Sequence, residues 1–200
     1  MTKLWGGGGQ GSGTMAFADH LDRRTRLHLG CGLRYDPEAV NVDVGEAGKP
    51  DVLHNLNQRP WPFPDNRFES VVIRDVLEHL DDTLAVLEEI YRVCKSGARV
   101  HIVVPHFSSN GAFTDPTHKR FFSALTFDYL TEGHPQNFYT AARFRIDTRQ
   151  IVFRQTVLNK VVWRLANRFP EAYENAWAWI FPAWFISVEL TVMKGGAGLA

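Results

Sequence analysis

Only two cysteines, Cys31 and Cys94, occur in 200 residues. That number excludes a disulfide framework and a cysteine-built zinc site, and it suits a reducing compartment, so a cytoplasmic location is expected. Neither sign of charge is in excess, with 22 Lys and Arg against 22 Asp and Glu. A chain without a net field has no global attraction for nucleic acid or an anionic membrane, and no nucleic-acid partner is expected. No apolar run reaches the roughly 18 to 20 residues that a spanning helix needs, and the N-terminus has no charged-then-apolar secretion signal. It opens instead on "MTKLWGGGGQGSGT", which has too little apolar surface to order itself; residues 1–25 are expected to be a flexible, Gly-rich leader. No internal repeat is present. Residues 26–200 are long enough for one domain with its own core.

The remainder alternates between two kinds of pattern. "RLHLG", "VNVDV", "PDVLHN" and "FESVVIRD" read as four short strands, each bounded by Gly, Pro, Asp or Asn. Leu80, Leu84, Leu87, Ile90 and Cys94 then fall on one helical face, with Asp81 or Asp82 as the cap and Gly97 as the stop. "ARVHIVVP" reads as a fifth strand, continuous in valine and isoleucine as a strand covered on both faces is. "ARFRIDTRQIVF" and "FISVELTVMK" read as two more, separated by a helical, aromatic-rich insertion over residues 155–184. Strands alternating with helices call for an α/β fold, a doubly wound sandwich around a mostly parallel sheet. Between the fifth and sixth strands, "HFSSNGAFTDPTHKRFFSALTFDYL" shows no period until Phe121, where a helix is expected. This segment leaves the C-terminal end of the fifth strand, the edge at which open parallel sheets bind ligands.

Two motifs belong to that edge. The Gly30-Cys31-Gly32 turn lets backbone approach a ligand closely, although a lone Gly-x-Gly is often only a turn. Asp43 ends the second strand, where a carboxylate either closes a turn or accepts both hydroxyl protons of a ribose. Together they point to a nucleotide-like ligand, yet the chain between them is too short for the usual crossover helix. Taken in order, "LHLGCG…VNVDV…DVLHNLNQRPWPFPDNRFESVVIRDVLEHL…LEEIYRVCKSGARVHIVVP" resembles the class I, Rossmann-like S-adenosylmethionine-dependent methyltransferases. The likeness is to the small type 11-like branch with a Gly-Cys-Gly loop and a shortened first crossover; "DPTHKRFFS" adds a looser match to members found near glycan-assembly functions. The resemblance implies S-adenosylmethionine as cofactor, with Gly30, Cys31 and Gly32 beneath its methionine portion and Asp43 on its ribose. It also implies Asn55 and Leu56 at the adenine, and Arg74 and Asp75 facing the methionine and methyl group. Asn55 departs from the acidic residue many relatives carry. A sulfonium cofactor has no pyrophosphate to hold at a helix N-terminus, so a truncated loop suffices.

Transfer of a methyl group from a sulfonium is an in-line displacement, which leaves the protein to position the acceptor and, for a hydroxyl, to remove its proton. The loop after the fifth strand offers His118 as general base, Asp115 as its orienting partner within "DPTH", and His106 as a competitor nearer the strand end. The same residues equally suit substrate binding or a lid. Lys119 and Arg120 are candidates for holding an acidic group on the acceptor. Glu78 and His79 begin the next helix, but no second ligand recurs at helical spacing, and no metal is expected. Cys31 is expected to contribute only its small size and Cys94 to be a structural thiol. In the insertion, Lys160, Arg164 and Arg168 recur at helical spacing while Val157, Val161 and Leu165 line another side. That pattern reads as a solvated face, or as a contact for a phosphate or lipid headgroup helped by Trp177, Trp179 and Trp184 at a peripheral membrane or partner surface over 160–184. A buried aromatic cap over the sheet is the expected arrangement. The expected activity is O-methylation of a sugar, glycan or small biosynthetic intermediate; N- or C-methylation of a small metabolite and a non-catalytic cofactor-binding module are the alternatives.

Overall fold

The computed structural model describes residues 23–195, so the expected leader lies almost wholly outside the described residues. The elements run β1 (Arg26–Leu29), β2 (Ala39–Asp43), β3 (Val52–Leu53), β4 (Phe68–Arg74), α1 (Thr83–Val93), β5 (Cys94–Pro105) and α2 (Gly111–Thr114), followed by β6 (Phe144–Val152), α3 (Val157–Arg168), α4 (Pro170–Ala176) and β7 (Phe185–Val192). Short 3-10 turns occur at Leu77–His79, Thr126–Leu130 and Asn137–Tyr139. The seven strands form one open sheet in the order β3-β2-β1-β4-β5-β7-β6. Strands β1 to β5 pair in parallel, and β7 runs antiparallel to both β5 and β6. Leu27, Leu29, Val71, Ile73, Val100, Ile102 and Val104 make the centre of the core, each at most 1 % exposed. Burying one such side chain stabilises the fold by about 1.5 to 3 kcal/mol.

The shortened first crossover is real: residues 30–38 contain no helix, yet β1 and β2 pair in register from Arg26 with Ala39 to Leu29 with Val42. A polar cluster stands where a crossover helix would cover the strand. Asn41 is fully buried, and its side-chain amide donates to the Asp36 and Ala39 carbonyls and to Asp51 Oδ2 at 2.8 to 3.0 Å. Arg24 pairs with Asp51 at 2.8 Å, and Tyr35 donates to the other oxygen of that carboxylate. Buried polar groups are tolerated here because each finds a partner.

Three expected boundaries move. Helix α1 is capped by Asp82, whose side chain accepts from the Ala85 N–H at 3.0 Å, but it ends at Val93. Cys94 is already extended and pairs with Phe68, so Cys94 to Gly97 belong to β5 and not to the helix. The long-range pairing with β4 overrides the local helical spacing that included Cys94. No helix begins at Phe121; that ring is exposed and stacked on Phe113 at 4.7 Å, and the neighbouring Phe122 is buried beside Phe127. The insertion is helical as expected, but it is not a buried cap. Val161, Leu165, Trp177, Trp179 and Ile180 are all more than half exposed; Val157's side chain lies outside the described residues. A small second cluster around Ile151, Phe153, Ala166 and Tyr173 packs α3 and α4 on β6, and the Asn167 side chain pairs with both main-chain groups of Ile151. Among the described residues no helix is long and apolar enough to cross a membrane.

Candidate functional site

The loops at the C-terminal ends of β1, β2 and β4 enclose a cavity of about 320 Å³ lined by Gly30, Gly32, Asp43, Asn55, Asp75 and His79, among others. Gly30 has φ +64°, and a Cβ there would lie 2.1 Å from Val76 Cγ2, so only glycine admits this turn beside the strand-β4 loop. The Asp43 carboxylate is held in place by main chain: its Oδ2 accepts from the Gly32 N–H and its Oδ1 from the Gly45 N–H, both at 2.8 Å. Each oxygen keeps a further lone pair for a ligand hydroxyl. Asp75, at the end of β4, adopts φ +56° and has a buried Oδ1 with no hydrogen-bond partner. A strained backbone and an orphaned acceptor facing a cavity mark a place built for a ligand. This cradle fits the sulfonium cofactor that the sequence resemblance implies, since it offers an Asp43 carboxylate with lone pairs to spare, a close backbone approach at Gly30 and an unpartnered Asp75 oxygen.

A second cavity, about 250 Å³, lies against the first and shares Asp75 and His79 with it; Glu78, Ser109, Asp115, His118 and Trp184 complete most of its wall. Glu78 is 1 % exposed, and burial, with Asp75 and Asp115 nearby, pushes its carboxyl up to about 7. One ring nitrogen from each of His79 and His118 and one Glu78 oxygen all lie within 4.8 Å of one another, and the two rings meet edge to face with centroids 4.7 Å apart. The Glu78 carbonyl accepts from the Lys119 and Arg120 N–H groups, which ties the "DPTH" loop to the 3-10 turn. Through Ser109 and Trp184 this cavity adjoins a wider groove of about 500 Å³ walled by Phe113, Arg154, Trp179 and Ile180.

The expected site residues divide clearly. Gly30, Gly32, Asp43, Asn55, Leu56 and Asp75 line the first cavity, whereas Cys31 and Arg74 line neither cavity. Cys31 is buried with its thiol pushed up by burial and by Asp43, and burial pushes the Cys94 thiol up to about 12, so neither is poised as a nucleophile. Asp115 and His118 reach the second cavity, but not as a pair. His118 Nε2 and Asp115 Oδ2 are 4.0 Å apart, while His118 Nδ1 bonds the Ala112 carbonyl at 3.0 Å. Asp115 instead accepts from Thr117 Oγ1 at 2.6 Å, and Thr117 Oγ1 meets His79 Nδ1 at 2.9 Å. His106 is fully buried with both nitrogens engaged, Nδ1 by Ser108 Oγ at 2.8 Å and Nε2 by Glu174 Oε1 at 3.0 Å. It is a tether between β5 and α4 with no nitrogen to offer an acceptor. Lys119 and Arg120 are turned to Asp81, through its carboxylate and its carbonyl respectively. Sequence reasoning missed Glu174, Thr117 and Ser109. Thr117 lies inside "DPTH" between the two residues chosen from it, Ser109 signalled itself only through the polar character of the loop, and Glu174 is one of two acidic residues, with Glu171, in the aromatic insertion.

Residues 7–102 match the family model described as a methyltransferase domain. The demethylmenaquinone methyltransferase of Listeria welshimeri is 35% identical over 74 residues, which cover 34% of this chain and 31% of that protein. A ubiquinone/menaquinone biosynthesis C-methyltransferase of Desulfotalea psychrophila is 50% identical over 38 residues, 19% of this chain and 15% of the relative. The matches thus span about a third or less of the length of these curated relatives. Among solved structures, a SAM-dependent methyltransferase from Archaeoglobus fulgidus superposes with a TM-score of 0.58 at 20% identity, covering 91% of this chain and 95% of that one. The YcgJ protein of Bacillus gives a TM-score of 0.57 at 14% identity, covering 92% and 98%. By its strand order and its ligand edge, the chain has the Rossmann-like fold of the S-adenosylmethionine-dependent methyltransferases, and its N-terminal half carries the match to the methyltransferase domain family.

Proposed function

We propose that the protein transfers a methyl group from S-adenosylmethionine to a hydroxyl-bearing small molecule held between the "DPTH" loop and the insertion. The observation that carries this reading is the junction of the two cavities at Asp75 and His79: a cofactor cradle opens onto a basic, partly aromatic chamber. When bound, the cofactor supplies an electrophilic methyl group on a positively charged sulfur. Asp43 would hold the ribose hydroxyls, and the orphaned Asp75 Oδ1 is the carboxylate nearest the expected sulfonium end. The Ala112 carbonyl holds the His118 Nδ1 proton, so Nε2 carries the lone pair that takes the acceptor's proton. His79, oriented by Thr117 and Asp115, and Glu78 complete the basic centre. The aromatic groove of Phe113, Trp179 and Trp184 suits an acceptor with a planar or apolar part.

A second reading is C-methylation of a phenol-like ring, favoured by the names of the curated relatives, one of which is a C-methyltransferase. The chemistry of the base is the same, because deprotonating a phenolic hydroxyl activates both its oxygen and its ring carbons. Incubation with methyl-labelled cofactor and metabolite or glycan extracts, followed by mass spectrometry and NMR of the labelled product, tests both. The expected result is one labelled small molecule, with the methyl on oxygen or on ring carbon. Absence of label in every fraction, from protein that still binds S-adenosylhomocysteine, would leave a non-catalytic binding module.

A further inference from the structure

Two histidines and a glutamate converge at the acceptor edge. His118 Nδ1 lies 3.0 Å from the Ala112 carbonyl, which only accepts, so that nitrogen bears the proton. Thr117 Oγ1 donates to Asp115 Oδ1 at 2.6 Å, and therefore accepts from His79 Nδ1 at 2.9 Å. Each neutral ring is thus left with its lone pair on Nε2. Glu78 Oε2 is buried and has no hydrogen-bond partner. One ligand atom from each of the three residues lies within 4.8 Å of the other two. Two imidazoles brought together beside a buried, unpartnered carboxylate oxygen are the complement of a cation.

We propose that Glu78, His79 and His118 bind a divalent transition-metal ion such as zinc, with its open positions facing the acceptor cavity. Two imidazoles and one carboxylate are a donor set of catalytic zinc sites, in which a further position is left for water or substrate. The surroundings have the form such sites need: each ring gives its Nδ1 proton to a fixed acceptor, a carbonyl for His118 and a hydroxyl backed by the Asp115 carboxylate for His79. The main-chain bonds from Lys119 and Arg120 to the Glu78 carbonyl hold the two ligand-bearing segments together. Ligand lengths of about 2.0 to 2.1 Å put tetrahedral ligands roughly 3.3 Å apart, so the trio closes by at most roughly 1.5 Å, within reach of side-chain rotation.

The ion's part in chemistry rests on the methyl-transfer reading; its binding does not. With the ion bound, the acceptor's oxygen coordinates it, its O–H proton leaves to water, and His118 serves as a ligand rather than as the proton carrier. The test is calorimetric titration of zinc chloride into chelator-treated full-length protein, with S-adenosylhomocysteine binding and circular dichroism as checks on folding. One ion per chain is expected, and His79→Ala, His118→Ala and Glu78→Gln should each weaken binding at least about tenfold. Glu78→Gln is informative because an amide N–H can replace a protonated carboxyl donating to a ring, but not a metal ligand. Thr117→Val, a surface change, should weaken binding about tenfold by releasing His79, and it stands in for any ligand variant that does not fold. No stoichiometric zinc, zinc binding unchanged in His79→Ala/His118→Ala, or Glu78→Gln binding as tightly as wild type would each overturn the site. Zinc binding by a protein that transfers no methyl group would instead remove the methyl-transfer reading and leave the metal site standing.

Discussion

The two halves of the ligand edge are built in different ways. The floor of the cofactor cradle takes its shape from neighbours in the chain: Gly30 and Gly32 follow β1, Asp43 ends the adjacent β2, and main-chain N–H groups hold its carboxylate. The acceptor chamber draws on segments far apart in the chain, and its supports are side chains. Glu174 accepts from His106, Ser123 and the Ala124 N–H, joining α4 to the end of β5 and to the loop beyond it. A cradle made of local backbone should tolerate change elsewhere in the molecule, whereas the chamber should feel substitutions many residues away. Cofactor binding and acceptor chemistry are therefore separable by mutation.

The largest separation is expected at His118. Losing His118 removes either the proton acceptor, an effect worth about 100-fold to 10,000-fold, or a ligand of the proposed metal ion, so His118→Ala should lower turnover by that order while S-adenosylhomocysteine affinity stays near wild type. Steady-state rates and calorimetry on the same preparation check this, and a parallel loss of cofactor affinity would show that the two halves are not separable. Asp115→Asn should act more weakly than His118→Ala, because the carboxylate orients His79 through Thr117 and lies 4.0 Å from His118 Nε2, beyond hydrogen-bond reach.

Glu174 should show the long-range dependence as stability. Burial would raise its pKa, but the hydrogen bonds from His106, Ser123 and the Ala124 N–H outweigh that and lower it below the ordinary 4.5. A carboxyl with a depressed folded-state pKa contributes stability that is present above the unfolded value and lost as pH falls through the folded one. Glu174→Gln should therefore cost roughly 1 to 3 kcal/mol at neutral pH and reduce the acid loss of stability below about pH 4.5. Urea unfolding at a series of pH values measures both. An unchanged acid limb would show that the carboxylate's charge is not what tethers α4.

The smallest expected effect is at the insertion. Lys160, Arg164 and Arg168 are exposed on α3 and line neither the cradle nor the basic chamber. Their joint replacement by Gln should leave S-adenosylhomocysteine affinity within about 0.5 kcal/mol of wild type. A collapse of affinity in a folded triple variant would mean that the insertion supports the cradle after all.

The same contrast decides what could be read from the chain. Local signals carried the cradle: a glycine turn after a strand, a carboxylate ending the next, the Asp82 cap, and the unbroken valine and isoleucine of β5. Cys94 misled because five helically spaced residues say nothing of the β4 pairing that draws it into a strand. His106 looked like a base from its place at a strand end, and only Glu174, sixty-eight residues on, reveals it as a tether. The orienting group for His118 is a main-chain carbonyl at Ala112, which no side-chain pattern encodes. Nor does a tryptophan's presence tell whether it is covered; Trp177 and Trp179 are both more than half exposed.

The most direct test of the cradle is calorimetric titration of S-adenosylhomocysteine into wild type and Asp43→Ala. Wild type should bind, with the thermal stabilisation that any native-state ligand confers. Asp43→Ala should bind more weakly by roughly 1 to 3 kcal/mol, the scale of charge-assisted hydrogen bonds to both ribose hydroxyls. No binding to wild type at millimolar ligand, together with binding of a nicotinamide dinucleotide, would contradict the account.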